Sequence, residues 1–462
     1  MINFTRKKNP MPELEPEVRR GSFAESQTGY TEEEAVCEAM RCLKCREHPC
    51  MTSGCPVHNR IPDFIDMICQ GRFEDAYQIL RTTTCLPAVC GRVCPQEEQC
   101  EGRCVRGIRG QSVAVGALER FVADWHREHV AAELKAREGN GKKVAVVGAG
   151  PAGLAAAGDL AELGYGVTVF EKSQVLGGVL TYGIPQFRLP KDIVEDEISQ
   201  LKALGVSFET GRALGEDLSL DDLLGSMGFS AVFLGFGAGI SRTMNIPGED
   251  LKGCFQAQDF LNGINLKEGF SGFPEGRFPK YGTIAVVGGG NVAMDACRSA
   301  VRTGAGKVLI VYRRSEAEMP AHEGEIREAR DEGVEFVFLH NPVRVVDDGS
   351  GKVAGLECLD TKLGEDDSRG HRKPVNIPGT EHVVPADCVI MAVGTGADDE
   401  LLGKCGLETD SKGRIRVDPE TMETSRPRVF AGGDAVTGPL TVISAMGAGR
   451  RAAAAIHRKL SA

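Results

Sequence analysis

Cysteines are concentrated near the start of the chain. Of sixteen cysteines in 462 residues, eleven lie within the first 104. Closely spaced thiols in a reducing compartment are more typical of metal or cluster ligands than of disulfides. Eight of them form a first and a second cysteine group, which are Cys42, Cys45, Cys50 and Cys55, and then Cys90, Cys94, Cys100 and Cys104.

Each cysteine group contains a Cys-Pro pair, Cys55-Pro56 in the first and Cys94-Pro95 in the second. Short cysteine spacings with a terminal Cys-Pro are typical of iron–sulfur clusters. A structural zinc site also uses Cys-x2-Cys spacing and is the alternative interpretation. Eight cysteines suffice for two four-iron clusters. Because the last cysteine of a run can bind the other cluster, spacing alone leaves the assignment of ligands open.

A glycine-rich turn follows the strand-like run KVAVV and precedes an alanine-rich helix. Its Gly-x-Gly-x-x-Gly spacing allows a tight turn, a close approach to a pyrophosphate and close helix packing. Glu171 ends the next strand, where an acid can bind a ribose hydroxyl. The predicted dinucleotide-binding residues are Gly148, Gly150, Gly153, Glu171 and Gly178, the last from a Gly-Gly pair frequent in flavin proteins.

The same strand–turn–helix unit recurs about one domain length later, in the run TIAVVGGGNVAMDACR. Its following strand ends in Arg313 and Arg314 rather than in an acid. Arginine pairs with a 2′-phosphate whereas an acid would repel it, so this turn favours NADP(H) over NAD(H). The predicted binding residues are Gly288, Gly290, Asn291, Ala293, Arg313 and Arg314.

A third motif, VFAGGDAV, places Gly433 and Asp434 after a strand, ahead of a helix predicted over 444–460. An acid at such a turn can bind a ribityl hydroxyl. The flavin domain would then be interrupted by the second dinucleotide unit. We therefore predict an α/β fold with two Rossmann-like dinucleotide-binding domains preceded by a helical domain. The expected bounds are 1–135 for the helical domain with two 4Fe-4S clusters, 136–280 with 385–462 for FAD, and 281–384 for NADP(H).

Local signals support a helical start to the chain. Thr31 and Glu34 fit a capping box for a helix over 32–41. Residues 61–81 have apolar residues at helical spacing with a break at Gly71, and a further helix is predicted over 113–136.

Charge and hydropathy exclude two classes of protein. Lys and Arg total 54 against 65 for Asp and Glu, a net charge of −11, which disfavours nucleic-acid binding. No apolar run approaches the roughly 20 residues of a membrane helix. The first residues also lack the apolar core of a signal peptide. These features predict a soluble, cytoplasmic protein.

Taken in order, the motifs resemble a known family. They are RCLKC, CPVHNRIPDF, LPAVCGRVCPQEEQCEGRC, VAVVGAGPAG, YGIPQFRLPK, VVGGGNVAMDACR and VFAGGDAVTGPLTVISAMGAGR. The chain resembles the small subunit of NADPH-dependent glutamate synthase over nearly its whole length. It is also similar to the large subunit of NADH-dependent ferredoxin–NADP oxidoreductase and to the N-terminal half of dihydropyrimidine dehydrogenase.

The resemblance implies that the cysteine groups exchange ligands. One cluster would be held by Cys42, Cys45, Cys50 and Cys104, and the other by Cys55, Cys94, Cys100 and Glu119. Cys90 would then lie beside the second cluster, whereas the sequence alone leaves it a ligand. The segment Thr441-Val442 would lie near the flavin ring. One departure is visible, because four residues separate Cys50 from Cys55, where relatives commonly have three.

The resemblance also implies an activity. A hydride would pass from NADPH to FAD, and single electrons would pass through two 4Fe-4S clusters to a partner, with no side chain acting as acid or base. The partner would be a glutamate synthase large subunit or another electron-accepting flavoprotein, in a hetero- or homo-oligomer. The alternatives are an electron-bifurcating ferredoxin–NADP oxidoreductase subunit and a non-redox scaffold with a zinc-bound interaction module.

Overall fold

Helices and turns make up the first part of the chain, and two parallel sheets follow. The computed structural model describes residues 3–130, 135–266, 278–366, 372–396 and 398–461. The N-terminal helices are α1 (Pro16–Arg20), α2 (Glu32–Ala39), α3 (Ile61–Cys69), α4 (Phe73–Arg81), α5 (Pro87–Val93) and α6 (Val115–His129). A π-helical turn spans Cys50–Gly54 and a 3₁₀ turn spans Val105–Ile108.

The local signals for these helices are confirmed. Thr31 accepts a hydrogen bond from the Glu34 N–H, and the Glu34 carboxylate accepts from the Thr31 N–H, which is the expected capping box. The segment 61–81 forms α3 and α4 with a left-handed Gly71 between them. Helix α6 begins two residues later than predicted, and the last predicted turn includes residues 131–134, which lie outside the described residues.

The first parallel sheet consists of five strands, β1 (Lys143–Val147), β2 (Gly166–Glu171), β3 (Ser207–Thr210), β4 (Ala231–Leu234) and β16 (Val429–Ala431). Their order across the sheet is β16-β4-β1-β2-β3. The associated helices are α7 (Pro151–Glu162), α8 (Val179–Tyr182), α9 (Lys191–Ala203), α10 (Leu220–Leu224), α15 (Asp434–Thr437) and α16 (Val442–Ser461). The sheet is interrupted in sequence as expected, because β16 returns from the far end of the chain to pair with β4.

The second parallel sheet consists of β6 (Cys254–Gln256), β7 (Thr283–Val287), β8 (Lys307–Tyr312), β9 (Glu335–Phe338) and β14 (Cys388–Met391). Their order across the sheet is β6-β14-β7-β8-β9. Its helices are α11 (Ala257–Asn265), α12 (Asn291–Arg302) and α13 (Glu323–Asp331). Strands β6 and β14 fall outside the range 281–384 expected for this unit. They join its sheet because β14 pairs in parallel with both β7 and β6. Neither strand carries a motif that the sequence could flag.

An antiparallel insert leaves the second sheet after β9. Its strands are β10 (His340–Asp347), β11 (Val353–Asp366), β12 (Arg372–Asn376) and β13 (His382–Pro385). The central strand β11 pairs with the other three. Outside these sheets lie β5 (Ile240–Ser241), which pairs with β15 (Thr395–Gly396), a 3₁₀ turn over Glu316–Glu318 and helix α14 (Asp399–Lys404).

An N-terminal arm, residues 13–28, touches all three parts of the molecule. The Ser26 N–H donates to the Phe187 carbonyl of the first sheet's unit at 2.9 Å. The Ser22 carbonyl accepts from Arg302 of α12 at 2.9 Å. Arg120 of α6 donates to the Gln27 carbonyl at 3.0 Å. The arm therefore connects the helical domain to both dinucleotide units.

Candidate cofactor sites

One pocket in the helical domain brings together cysteines from both groups. It is lined by Cys42, Cys45 and Cys50 of the first group and by Cys104 of the second. Burial first, and then the neighbouring Cys104 and Cys42 thiolates, raise the pKa of the Cys50 thiol to about 12. We call these four cysteines site 1. The exchange of Cys104 into the first group is the arrangement that the resemblance implied.

Buried Arg41 positions the start of site 1. Its guanidinium donates to the Gln111 carbonyl at 2.6 Å and to the Ser112 carbonyl at 3.0 Å. The same guanidinium pairs with Glu38 at 2.5 Å, and both side chains are fully buried. A guanidinium with several fixed acceptors is a rigid brace. It ties Cys42, the next residue, to the chain that follows Cys104.

The π-helical turn Cys50–Gly54 accommodates the long spacing between Cys50 and Cys55. A π-turn closes its backbone hydrogen bond over one residue more than an α-helical turn does, which suits the one residue that separates this spacing from that of relatives. Gly54 lies against the second group, because a Cβ there would lie 2.9 Å from the Cα of Cys100. The turn thus brings Cys55 across to the second group.

Cys55, Cys94, Cys100 and Glu119 form a second constellation, which we call site 2. Burial is the largest cause that raises the pKa values of Cys55, to about 11, and of Cys100. The Glu119 carboxylate adds to the rise at Cys55, Cys94 and Cys100, as expected for an acid near all three thiols. Burial raises the pKa of Glu119 itself to about 8.

Cys90 lies beside site 2 but has other partners. Its sulfur lies 3.7 Å from the Thr84 hydroxyl and 3.6 Å from the sulfur of Met446 on α16. Contact with Cys90 is also the first cause that raises the pKa of Cys94. The structure therefore brings both Glu119 and Cys90 to the second constellation, with Cys90 facing helix α16.

Asn59 is a site 2 residue that sequence reasoning missed. Its backbone N–H donates to the Cys55 sulfur at 3.4 Å, and its side-chain amide donates to Glu119 at 3.5 Å. The amide oxygen accepts from the Thr83 hydroxyl at 2.6 Å. A polar residue four positions after a cysteine gives no signal by itself, so only the fold reveals this role.

The first glycine turn leaves an open cradle at the start of α7. A Cβ at Gly153 would lie 1.9 Å from the Gly148 carbonyl oxygen, so helix and turn touch there. At Gly150 a Cβ would meet nothing within 4 Å. Gly150 is the N-cap of α7 and has no side chain to accept from the first N–H groups of the helix. Because these N–H groups have no partner within the helix, an open glycine beside them suits a diphosphate, so this turn fits the FAD predicted for it.

Glu171 stands beside this turn as predicted. The Glu171 carboxylate accepts from the Ala149 N–H at 2.8 Å and from the Ser173 N–H at 2.9 Å. Gly178 is left-handed, with a φ of 56°, and a Cβ there would lie 2.8 Å from the Cα of Gly150. The Gly-Gly pair therefore packs directly on the dinucleotide turn.

The C-terminal motif reaches the same cradle. Gly433 has a φ of 72°, and a Cβ there would lie 2.9 Å from the Ala152 side chain of α7. Asp434 follows β16, and burial raises the pKa of its carboxyl. Thr441 accepts from the Ser444 N–H at 3.3 Å at the start of α16, so the Thr441-Val442 segment forms that helix's first turn. Three predicted FAD segments thus converge.

The second glycine turn repeats the cradle before α12. Gly288 is left-handed with a φ of 141°, and none of the described side chains caps Gly290. The Asn291 side-chain oxygen accepts from the His322 N–H at 3.0 Å, which fixes the turn to a neighbouring loop. Ala293 is fully buried in the first turn of α12, where a larger side chain would not fit. This turn fits a second dinucleotide.

Arg313 and Arg314 follow β8 beside the second turn. Arg313 is exposed, and its carbonyl accepts from the Thr361 hydroxyl at 2.8 Å. Arg314 donates through Nε to the Arg372 carbonyl at 2.9 Å. The Arg313 guanidinium is therefore the better placed of the two to meet a phosphate from solvent.

A buried ion pair joins the two dinucleotide units. Arg188 of the YGIPQFRLPK segment donates to both carboxylate oxygens of Asp295 on α12, at 2.8 and 2.9 Å. Glu325 pairs with the same guanidinium at 2.8 Å. Sequence reasoning missed this contact, because charged residues far apart in sequence give no sign that they meet. The pair holds the α12 turn at a fixed place relative to the first sheet.

Two family models match the chain. Residues 19–131 match dihydropyrimidine dehydrogenase domain II, 4Fe-4S cluster, and residues 142–449 match pyridine nucleotide-disulphide oxidoreductase. Glutamate synthase [NADPH] small chain of Escherichia coli (strain K12) is 39% identical over 96% of this chain and 95% of its own length. The chain belongs to the glutamate synthase small-chain family. The resemblance read from the motifs and the predicted fold class are confirmed.

The chain is also similar to a longer relative and to a solved structure of the same fold. NADP(+)-dependent formate dehydrogenase subunit beta of Moorella thermoacetica is 43% identical over 89% of this chain, which spans 60% of that relative. Mycobacterium tuberculosis FprA in complex with NADPH shares the fold, with a TM-score of 0.56 and 20% identity over 70% of this chain and 85% of its own. The expected enzyme class, a pyridine-nucleotide oxidoreductase with an iron–sulfur domain, is confirmed.

In the part of the chain that the structure describes, none of the helices is both long and apolar enough to cross a bilayer.

Proposed function

We propose that this chain oxidises NADPH at a flavin site and passes the electrons through its N-terminal domain to a partner, namely the large subunit of a glutamate synthase. The observation that carries the proposal is the contact of α16 with Cys90 and Pro56, two residues beside site 2. Met446 of α16 touches the Cys90 sulfur, and a Cβ at Gly447 would lie 3.5 Å from the Pro56 carbonyl oxygen. Helix α16 begins just after the Asp434 turn, so one helix connects the flavin cradle to site 2.

The proposed dinucleotide residues follow from the two cradles. FAD would be held by the first glycine turn, the Glu171 carboxylate and the C-terminal turn, and NADP(H) by the second glycine turn and the arginines. The full sets are Gly148, Gly150, Gly153, Glu171, Gly178, Gly433, Asp434, Thr441 and Val442, and then Gly288, Gly290, Asn291, Ala293, Arg313 and Arg314. The open space over Gly150 and the free N–H groups of α7 support the first set.

We further propose two four-iron clusters, one at each cysteine site. Cys42, Cys45, Cys50 and Cys104 would hold the first, and Cys55, Cys94, Cys100 and Glu119 the second. Glu119 is preferred to Cys90 because Asn59, whose backbone N–H donates to the Cys55 sulfur, donates through its side chain to the Glu119 carboxylate. The Cys90 sulfur contacts Cys94 but also Thr84 and Met446, which lie outside site 2. We also propose a cytoplasmic location, because a reducing compartment keeps cysteine thiols free to bind the clusters.

The proposed domains extend the expected bounds of the second dinucleotide unit. Because β6 and β14 pair within its sheet, this unit would include the segments around 254–256 and 388–391. The helical domain over 1–135 and the interrupted FAD domain keep their expected order.

Bound FAD supplies the conversion of two-electron into one-electron chemistry, and iron–sulfur clusters carry single electrons. The chain's own residues hold and insulate these groups. The glycine turns would hold the two dinucleotides, one in each of the units that the Arg188–Asp295 pair joins. Apolar side chains line the pocket of site 1, among them Ile61, Ile65 and Val113. None of the proposed residues needs to exchange a proton with the substrate.

The first experiment is a count of bound groups in anaerobically purified protein. We expect about one FAD and eight iron atoms with matching acid-labile sulfide, and bleaching of the spectrum by NADPH far faster than by NADH. Zinc in place of iron would overturn the electron-transfer proposal and favour an interaction module. A content of about four iron atoms would be compatible with the proposed NADPH oxidation but would mean that the chain holds one cluster rather than two.

The partner is tested separately by reconstitution. Mixed with a glutamate synthase large subunit, the chain is expected to support NADPH-dependent glutamate formation from glutamine and 2-oxoglutarate. An electron-bifurcating role would instead give NADPH-dependent reduction of both ferredoxin and NAD⁺ with a small flavoprotein partner. NADPH oxidation by artificial acceptors without either coupled reaction would overturn the partner proposal and leave the oxidoreductase.

A further inference from the structure

Three ligand-type side chains meet on the antiparallel insert, which also contacts Arg313 and Arg314. They are His340 at the start of β10, Asp360 on β11 and His382 at the start of β13. One ligand atom from each can be chosen so that all three lie within 4.8 Å of one another. We propose that these residues bind a divalent transition-metal ion, for which Zn²⁺ is the natural probe.

Strand register explains why the three side chains meet. His340 pairs directly with Asp360, and His382 pairs with Cys358, two residues along β11. Side chains of directly paired residues point to the same face, as do residues two apart on one strand. Histidines from both neighbouring strands therefore flank the central Asp360 on one face. They come from three separate places in the sequence, so no local spacing motif announces them.

The spacing of these side chains is close to that of a metal site. His340 Nε2 lies 3.7 Å from Asp360 Oδ1, beyond hydrogen-bond length, and the same oxygen lies 3.7 Å from Nδ1 of His382. Ligand atoms at 2.0–2.2 Å from a tetrahedral zinc ion lie about 3.4 Å apart, so the distance between His340 Nε2 and Asp360 Oδ1 needs to shorten by only a few tenths of an ångström. The two rings are perpendicular, at 88°, rather than stacked.

A neighbouring carbonyl fixes the tautomer of His340 that a metal needs. His340 Nδ1 lies 2.5 Å from the Phe338 carbonyl oxygen, which can only accept, so Nδ1 carries the proton and Nε2, which faces Asp360, keeps its lone pair. His382 Nδ1 lies 2.9 Å from the Thr380 carbonyl oxygen as well as near Asp360, so this ring would bind the metal through Nε2 or give up that hydrogen bond. Metal-binding histidines are commonly oriented by such a hydrogen bond from the other ring nitrogen.

The backbone that carries the Asp360 carboxylate is fixed by Thr380. The Asp360 N–H donates to the Thr380 hydroxyl at 3.0 Å, and that hydroxyl lies 2.7 Å from the Ile377 carbonyl oxygen. Thr380 therefore ties the loop before His382 to the strand that carries Asp360. Two imidazoles and one carboxylate suit zinc, nickel or cobalt, and a fourth position stays open to water.

The test is zinc binding to the full-length protein with its iron and flavin occupancy verified. Titration calorimetry is expected to show one Zn²⁺ site per chain. X-ray absorption at the zinc edge is expected to show nitrogen and oxygen scatterers near 2.0 Å, a signal that flavin and iron do not obscure. His340→Gln, His382→Gln and the conservative Asp360→Asn should each raise the Kd at least about 10-fold, since even outer partners of ligands cost that much.

His129→Gln is the matched control, because His129 is exposed on α6 and stacks on Trp125 away from the insert. It should leave the Kd unchanged. The proposal is overturned if Zn²⁺ shows sulfur scatterers near 2.3 Å, or if it binds equally to all four variants. It is also overturned if no zinc binds while FAD and iron are fully loaded. None of these outcomes bears on NADPH oxidation, so the proposed function is tested apart.

Discussion

Replacing Gly150 with alanine is expected to abolish tight FAD binding while the apoprotein still folds. Gly150 has a φ of −80°, which alanine adopts readily, and a Cβ there would meet nothing within 4 Å. The stability of the protein without FAD should therefore change by less than about 1 kcal/mol, the usual size of a change at a helix N-cap. The methyl group would instead occupy the space proposed for the diphosphate.

The size of the FAD defect follows from the hydrogen bonds that the methyl would displace. Each bond from a backbone N–H to a charged phosphate contributes about 1.5–3 kcal/mol, so losing one or two raises the Kd by roughly 10- to 20,000-fold. Gly153→Ala is the contrasting variant. Its Cβ would lie 1.9 Å from the Gly148 carbonyl oxygen, so α7 must move from β1 even without FAD. Overpacking of this kind costs about 1–3 kcal/mol.

Thermal unfolding of the two apoproteins and FAD titration by flavin fluorescence separate these effects. Gly150→Ala should keep the apoprotein midpoint and lose affinity, whereas Gly153→Ala should lower the midpoint as well. If Gly150→Ala retains the affinity of the unmodified chain, the diphosphate does not lie over this turn and the reasoning fails.

Three further predictions concern other parts of the molecule. Glu119→Ala should lower the iron content from about eight to about four atoms, whereas Cys90→Ser should keep it, as measured by iron and sulfide analysis. Arg313→Gln should raise the KM for NADPH about 10-fold or more and leave that for NADH unchanged, because only NADPH carries the 2′-phosphate; steady-state kinetics with both nucleotides measures this. Burial raises the pKa of Glu197 to about 7, so above that pH folding must bury a charged carboxylate. Glu197→Gln should therefore increase the free energy of unfolding at pH 8 by up to roughly 3 kcal/mol, which is seen as a higher midpoint of thermal unfolding. This gain should fade as the pH drops toward 4.5.

Each of these predictions has a clear contrary result. Iron lost from Cys90→Ser but not from Glu119→Ala would make Cys90 the ligand. Arg314→Gln is the control for Arg313, and an equal loss in both variants would point to a general change of the turn. A gain from Glu197→Gln that is constant between pH 5 and 8 would mean that the carboxyl does not ionise in that range.

The local elements and both glycine turns were predictable from sequence. The capping box of Thr31, the break at Gly71 and the strand–turn–helix units depend on neighbouring residues, and periodicity reports such features directly. The family resemblance added the exchange of Cys104 and Cys55 between the cysteine groups. Spacing alone could not give this exchange, because it depends on how the chain crosses itself after each group.

Contacts between distant segments were beyond the reach of the sequence. The pairing of Arg188 with Asp295 joins residues 107 positions apart. Asn59 gained its place beside Glu119 only through the packing of α6 near α3. The unit around the second glycine turn also extends past its expected bounds, since three- and four-residue strands such as β6 and β14 are too short to be recognised by pattern.

The N-terminal arm has a consequence for how the molecule is assembled during synthesis. Ser26 reaches Arg298 of α12 across 272 residues of chain. At roughly 5–20 residues per second, a ribosome would complete Ser26 about 14–54 s before it completes Arg298. During that time the arm lacks its contact with Arg298, while the helical domain and most of the first sheet are synthesised. Docking of the second dinucleotide unit onto the arm must then be a late event, after the strands that complete its sheet have left the ribosome.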